Sequence, residues 1–257
     1  MPGKLSILLL TEDTGSSTHE VLRAVVEKLL FAIGSPFDLS QIEFERADER
    51  ARQAMGFNLY NSAKPKDYGK QLDLASVIAT KLMRPGMEAF IFVHIDGDRL
   101  WSERGQHSES LCGNHAIFVQ NVLRRVRLLL EKAGRTEQLA RVLPVLPFWS
   151  IEAWLYQNSR EVHRLCSLHA PRHDRDRPQF KAWEDDPSQL DDTPQPKLKV
   201  PTFKDKYNLD LAMTLPAKKL IALGLSPSLS IVVAWTDRPP EGETRTSRDE
   251  FPQRSPG

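Results

Sequence analysis

Cysteine is scarce in this chain of 257 residues: it has two, Cys112 and Cys166, far apart in unrelated surroundings. That spacing argues against a disulfide framework or a zinc knuckle and fits a reducing compartment. Long hydrophobic runs are missing too. The opening stretch LSILLL offers only about six apolar positions, too few for a signal-peptide core or a membrane span. It reads as a first strand entered directly, which predicts a soluble, cytoplasmic protein with no membrane partner. Nor is there an excess of one charge. The 35 basic and 34 acidic residues leave a net charge of +1, which excludes a grossly basic DNA-coating protein and leaves local basic patches open. The sequence contains no internal repeat.

What is present is alternation. Leu5–Leu10 is a β-type run. From Thr18 to Ala32 the residues Val21, Leu22, Val25, Val26, Leu29 and Leu30 recur at helical spacing, with Ser17 or Thr18 as cap and Glu20 in the first turn. Residues 41–47, QIEFERA, alternate as a half-exposed strand does, and 50–70 read as irregular. Leu72–Met83 is helical, Ala89–Ile95 is a strand, Ala116–Lys132 is an amphipathic helix, and Arg141–Leu146 is a short strand. Pro147 then leads into a helix over FWSIEAWLYQN. Strands alternating with helices predict an α/β fold with a parallel sheet covered on both faces. The expected organisation is a core domain over 1–160, a charged, proline-rich insertion over 161–202, a C-terminal extension over 203–236 and a disordered tail over 237–257.

The segment FIFVHIDGD, residues 90–98, ends a buried strand in two aspartates, Asp96 and Asp98. Two positions apart on an extended chain, they point the same way. Like charges that close repel unless neutralised, and a hard divalent cation does this well. The competing reading is a polar turn in which Gly97 allows a sharp bend. In parallel sheets ligands bind beyond the carboxyl ends of the strands. Glu12 follows the first strand, Asp96 and Asp98 the third and Glu152 the fourth, so all four acids fall on one edge. Glu152 has its own bland alternative, an acid favoured in the first turn of a helix.

An apolar strand ending in Glu12, a helix, and a strand ending in Asp96-Gly97-Asp98 together resemble the Toprim domain of topoisomerases, bacterial primases and OLD-type nucleases. The segment PFWSIEAWLYQN resembles the proline–acid–tryptophan helix of small stand-alone Toprim proteins and OLD-type nucleases. The likeness covers residues 5–158 and, more weakly, 203–235. It implies a Toprim-like parallel sheet flanked by helices, with a small C-terminal helical extension. It also implies a Mg²⁺- or Mn²⁺-dependent nuclease acting on DNA more readily than RNA, and a place beside an ATPase partner in bacterial anti-phage defence. Asp96 and Asp98 would bind metal, Glu12 would hold metal or move protons, and Glu152 would add a carboxylate. Four such acids suit a two-metal phosphodiesterase site. Lys204 or Lys206 would stabilise the charged phosphorus centre, the alternative being a solvated helix start. One departure bears on the second ion: Asp13 replaces the usual glycine, and Glu20 matches the family's next acid only if residues 15–17 are inserted. The alternative is a non-catalytic Toprim-fold subunit that binds an ATPase or nucleic acid. Nucleotidyl transfer would need a nucleotide-binding module, and none is evident.

Other candidates carry bland readings. His94 lies within a strand and reads as a core histidine. His107 and His115 lie in or beside the loop after the aspartates, within reach of a substrate. His163, His169 and His173 are irregularly spaced for zinc, with only Cys166 among them. Trp149 and Trp154 read as core packing. Arg124, Arg125 and Arg127 form a basic helix face suited to a phosphate backbone or simply to solvent. Asp13 reads as a turn residue.

Overall fold

Leu5–Thr11 forms β1, and every residue from Leu5 to Leu10 is buried. A strand apolar on both sides needs cover on both faces, and a parallel sheet between helical layers supplies it. The computed structural model describes residues 5–12, 18–32, 39–96, 113–147, 151–156, 158–169, 174–186, 189 and 202–215. Four parallel strands form one sheet: β1, β2 (Ile42–Arg46), β3 (Glu88–His94) and β4 (Val142–Val145), in the order β2-β1-β3-β4. β1 pairs with β3 from Leu5 against Glu88 to Thr11 against His94. Edge strand β2 is half exposed, as its alternating sequence predicts. Pro144 lies in β4 at the opposite edge, where a missing ladder donor is tolerated.

Side-chain parity divides the core. Leu5, Ile7 and Leu9 with Phe90 and Phe92 face α1 (Thr18–Ala32), while Leu8 and Leu10 with Ile91 and Val93 face the other layer. That second layer comprises α2 (Glu49–Gly56), α3 (Tyr68–Leu82), and a helical run of α4 (Gly113–Phe118), a π turn (Val119–Leu123) and α5 (Arg124–Lys132). The expected irregular stretch 50–70 therefore contains α2, which Asp48 caps by accepting a bond from the Ala51 N–H at 2.8 Å.

Beyond β4 the chain forms α6 (Ile151–Leu155), α7 (Ser159–Leu168), α8 (Arg177–Asp185) and α9 (Thr202–Thr214). These pack with α1 on one face of the sheet. The charged, proline-rich insertion expected over 161–202 is helical over α7 and α8, whose amphipathic helices place Val162, Leu165, Phe180 and Trp183 in the core. Dense charge and proline masked that apolar spacing in the sequence. α9 begins near the expected start of the C-terminal extension. The apolar segment 229–235 and the tail 237–257 lie outside the described residues. No described helix is long and apolar enough to cross a membrane.

Candidate functional site

The strand order reverses between β1 and β3: the chain leaves β1 toward β2 on one side and leaves β3 toward β4 on the other. Connections diverging from neighbouring carboxyl ends leave a crevice between them, the usual ligand position in an open α/β sheet. Glu12 and Asp96, the residues just beyond these two strands, meet there. The Glu12 Oε1 accepts the Asp96 backbone N–H at 2.8 Å, and the Glu12 N–H donates to the His94 carbonyl at 3.3 Å. The Glu12 Oε2 accepts the Tyr60 hydroxyl at 2.8 Å.

His94 ties the same ends together from the α1 side. Its Nδ1 lies 3.0 Å from Thr11 Oγ1, and its Nε2 lies 3.2 Å from Asp96 Oδ1. The sequence reading of His94 as a core histidine holds for its burial but missed its position between a strand end and the Asp96 carboxylate. The register that sets Thr11 beside His94 becomes visible only once β1 and β3 are paired.

Tyr60 is the residue that sequence reasoning missed altogether. It is fully buried in the helical turn Leu59–Asn61, which follows Asn58 in a left-handed conformation that asparagine tolerates. Its ring meets Phe118 edge-on at 5.7 Å. Its carbonyl accepts bonds from Asn121 Nδ2 at 3.0 Å and from Gln71 Nε2 at 3.3 Å. Arg125 completes the frame, with Nη1 donating to Gln71 Oε1 and to the Asn121 carbonyl, each at 2.7 Å. Asn121 belongs to the π turn, a helix irregularity frequent at functional sites. Arg125 is thus committed inside the protein and does not join Arg124 and Arg127 in the expected basic face. A Gln–Asn–Arg frame of this kind, with Gln71 buried and Asn121 and Arg125 partly so, fixes where the Tyr60 hydroxyl points, and through it the Glu12 carboxylate.

Burial pushes the Glu12 carboxyl above its ordinary value, the neighbouring Asp96 charge adds to this, and His94 and the two hydrogen bonds only partly offset it. Two carboxylates held together against their own repulsion suit a hard divalent cation. Each Glu12 oxygen keeps a second lone pair, and the Asp96 side chain is 23% exposed, so an ion can reach it. Mg²⁺ or Mn²⁺ therefore fits the donor chemistry of the pair. Among the described residues no group of three or more His, Cys, Asp or Glu side chains is arranged to hold a metal.

The remaining expected site residues have separate placements. Asp98, with Asp13 and His107, lies outside the described residues. Glu20 is exposed in the first turn of α1. Glu152 occupies the first turn of α6 and accepts a bond from Asn208 Nδ2 of α9 at 3.1 Å, which fits its bland reading. Lys204 and Lys206 fall within α9, and their side chains lie outside the described atoms. His115, expected within a substrate's reach, is buried, and burial pulls its imidazole below the ordinary value. His163 contacts Glu184 at 2.6 Å across α7 and α8, and His169 stacks on Tyr207 at 4.9 Å. His173, Cys112 and Trp149 lie outside the described residues, whereas Trp154 is core, as expected.

Replacing Tyr60 by Phe removes one hydrogen bond to a charged group and leaves the ring packing intact. The expected cost is about 1.5–3 kcal/mol, read by urea denaturation. Outer groups that orient a metal ligand typically govern 10–100-fold in affinity. If the pair holds Mn²⁺, the concentration needed for half-maximal binding should rise by about that factor.

No protein-family model, curated protein or solved structure matches the chain.

Proposed function

We propose that the protein is a metal-dependent nuclease of Toprim type that hydrolyses nucleic-acid phosphodiesters, DNA in preference to RNA. The observation that supports this most is the meeting of Glu12 and Asp96 at the reversal of strand order, two partly buried acids beyond different strands joined by the bond from the Asp96 backbone N–H to the Glu12 carboxylate. Asp96 and Glu12 would hold the ion, with Asp98 the next acid along the chain. A Mg²⁺ or Mn²⁺ bound there supplies a Lewis acid for the phosphoryl oxygen and a water of lowered pKa. The chain's own part is positional. Glu12 fixes the Asp96 backbone through Oε1, and Tyr60 fixes Glu12 through Oε2. His94 lies against the Asp96 carboxylate. The raised Glu12 carboxyl also suits proton transfer, because burial brings it toward the working pH. Glu152 and Lys206 remain candidate catalytic groups on the family likeness alone, as does Glu20 for a second ion. Work beside an ATPase in cytoplasmic antiviral defence is likewise a proposal from that likeness.

A second reading, a non-catalytic Toprim-fold subunit that binds an ATPase partner or nucleic acid, draws support from Glu12. Both of its oxygens already serve hydrogen bonds within the protein. The two readings separate in one assay. With Mn²⁺ or Mg²⁺ the purified protein should nick supercoiled plasmid, and Asp96→Asn should reduce the rate by about a hundredfold or more, the scale of losing a key electrostatic group. Equal nicking by wild type and variant, or no cleavage with either metal and any partner, excludes the enzyme reading.

A further inference from the structure

Beside the Glu12–Asp96 pair, on the β2 side of β1, lies a cavity of about 210 Å³. Its walls come from the ends of β1 and β2, the start of α1 and the length of α2, and three of its groups lack a partner suited to their chemistry among the described residues. The Arg46 guanidinium, at the end of β2, makes no ion pair among the described residues. The Nε2 of His19 is buried and has no hydrogen-bond partner among the described residues. In the neutral ring protonated at Nδ1, Nε2 is an acceptor. Phe57 shows a ring that is 67% exposed, although most large apolar side chains here are buried.

A fourth group, Arg52, also lines the cavity. It pairs with Glu49 one turn away on α2, and Glu49 in turn accepts a bond from Gln53 at 2.9 Å. Such an exposed intrahelical pair is worth little. A phosphate offers the same guanidinium a bidentate acceptor with more charge. Across the cavity, the start of α1 adds the positive end of a helix of 15 residues.

Two arginines for an anion, an open acceptor for a hydroxyl or amine, and a bare aromatic face for a ring are the needs of a single ligand class. We propose that this cavity binds a nucleoside phosphate, with the phosphate on Arg46 and Arg52, a sugar hydroxyl or base amine donating to His19 Nε2, and the base stacked on Phe57. Thr11 lines the cavity, and the residue after it is Glu12. A nucleotide unit seated here therefore places the neighbouring phosphodiester of its strand toward the carboxylate pair. Stacking on an aromatic face tolerates any base, so the subsite would grip a strand without reading its sequence. The orientation toward Glu12 rests on the nuclease reading; nucleotide binding itself does not.

The test is binding, made in EDTA so that cleavage plays no part. The full chain is titrated against a labelled single-stranded DNA dodecamer by anisotropy and against AMP by calorimetry. The variants are Arg46→Gln, Phe57→Ala and their combination, with Arg135→Gln at the opposite end of the sheet as control. Both mutated side chains are exposed, and unchanged melting temperatures verify the fold. Wild type should bind at least one probe, the double variant should lose tenfold or more, and the control should bind as wild type. For the strand, Arg46→Gln should also lower the slope of log affinity against log salt by about 0.7, the value for one phosphate contact on a single strand. Strand binding sensitive to these variants assigns a substrate subsite, and AMP binding without strand binding assigns a free-nucleotide site. Absence of binding by wild type, or variants that bind like it, overturns the proposal. Neither result touches the metal reading, which Asp96→Asn tests separately.

Discussion

Glu12→Gln is expected to abolish metal-dependent strand cleavage and at the same time to make the metal-free protein more stable at neutral pH. The two effects have one cause. Glu12 is partly buried beside Asp96, and both burial and the neighbouring charge raise its carboxyl above the ordinary value near 4.5. As pH rises past that ordinary value, the unfolded chain releases its proton before the folded one does, so the folded state binds more protons and stability falls with pH. Above the folded value the full penalty persists. Glutamine removes the charge, keeps one oxygen to accept the Asp96 N–H, and turns its NH2 toward the Tyr60 hydroxyl, which can accept in place of donating. The gain should be of the order of 1 kcal/mol, the usual size of a single-substitution effect. In EDTA that corresponds to a melting temperature roughly 2–4 °C higher for a domain of this size. The difference from wild type should shrink as the pH is lowered toward 4.5. Residues retained for function at a cost in stability behave in this way. A variant that is both less stable and fully active would show instead that Glu12 is a structural hydrogen-bond acceptor.

Trp183→Ala is expected to cost about 3–5 kcal/mol, the range for removing a large aromatic side chain from a core. Trp183 is 2% exposed on α8, stacks on Tyr156 at 6.1 Å and 24°, and meets Phe180 at 5.7 Å. Tyr156 directly follows α6, so this aromatic group joins α8 to the segment that follows the last strand. Domains are stable by about 5–15 kcal/mol in total, and a loss on this scale puts folding itself at risk. Urea denaturation at 25 °C measures it. Were α7 and α8 a peripheral insertion, the same substitution would stay within about 0.5 kcal/mol. That outcome would separate them from the core.

The sheet was legible because its strands announce themselves. LSILLL and FIFVH are apolar on both faces, and only central parallel strands demand that. The helix at 18–32 and most of that at 68–82, read from Leu72 onward, follow from apolar spacing alone. The carboxylate pair was legible for a topological reason: residues just past parallel strands share an edge, so Glu12 and Asp96 could be placed together before any geometry. Its surroundings were not. Tyr60 sits 48 residues from Glu12 in a stretch with no periodicity, and only the packing of α2, α3 and the π turn brings its hydroxyl there. Arg125 looked like part of a charged surface because a sequence does not show a local π turn, whereas the structure spends it on Gln71 and Asn121. Residues 161–185 misled for the opposite reason, since their charges are abundant and their few apolar residues carry the packing.

The account depends on the Glu12–Asp96 pair holding a divalent ion, and a crystal structure of the full chain grown with Mn²⁺ tests this most directly. The anomalous signal of Mn²⁺ should lie between the two carboxylates, in contact with Asp96 and Glu12, and should vanish in Asp96→Asn. Saturating Mn²⁺ with no peak in that crevice, or a peak bound by other residues alone, would contradict it.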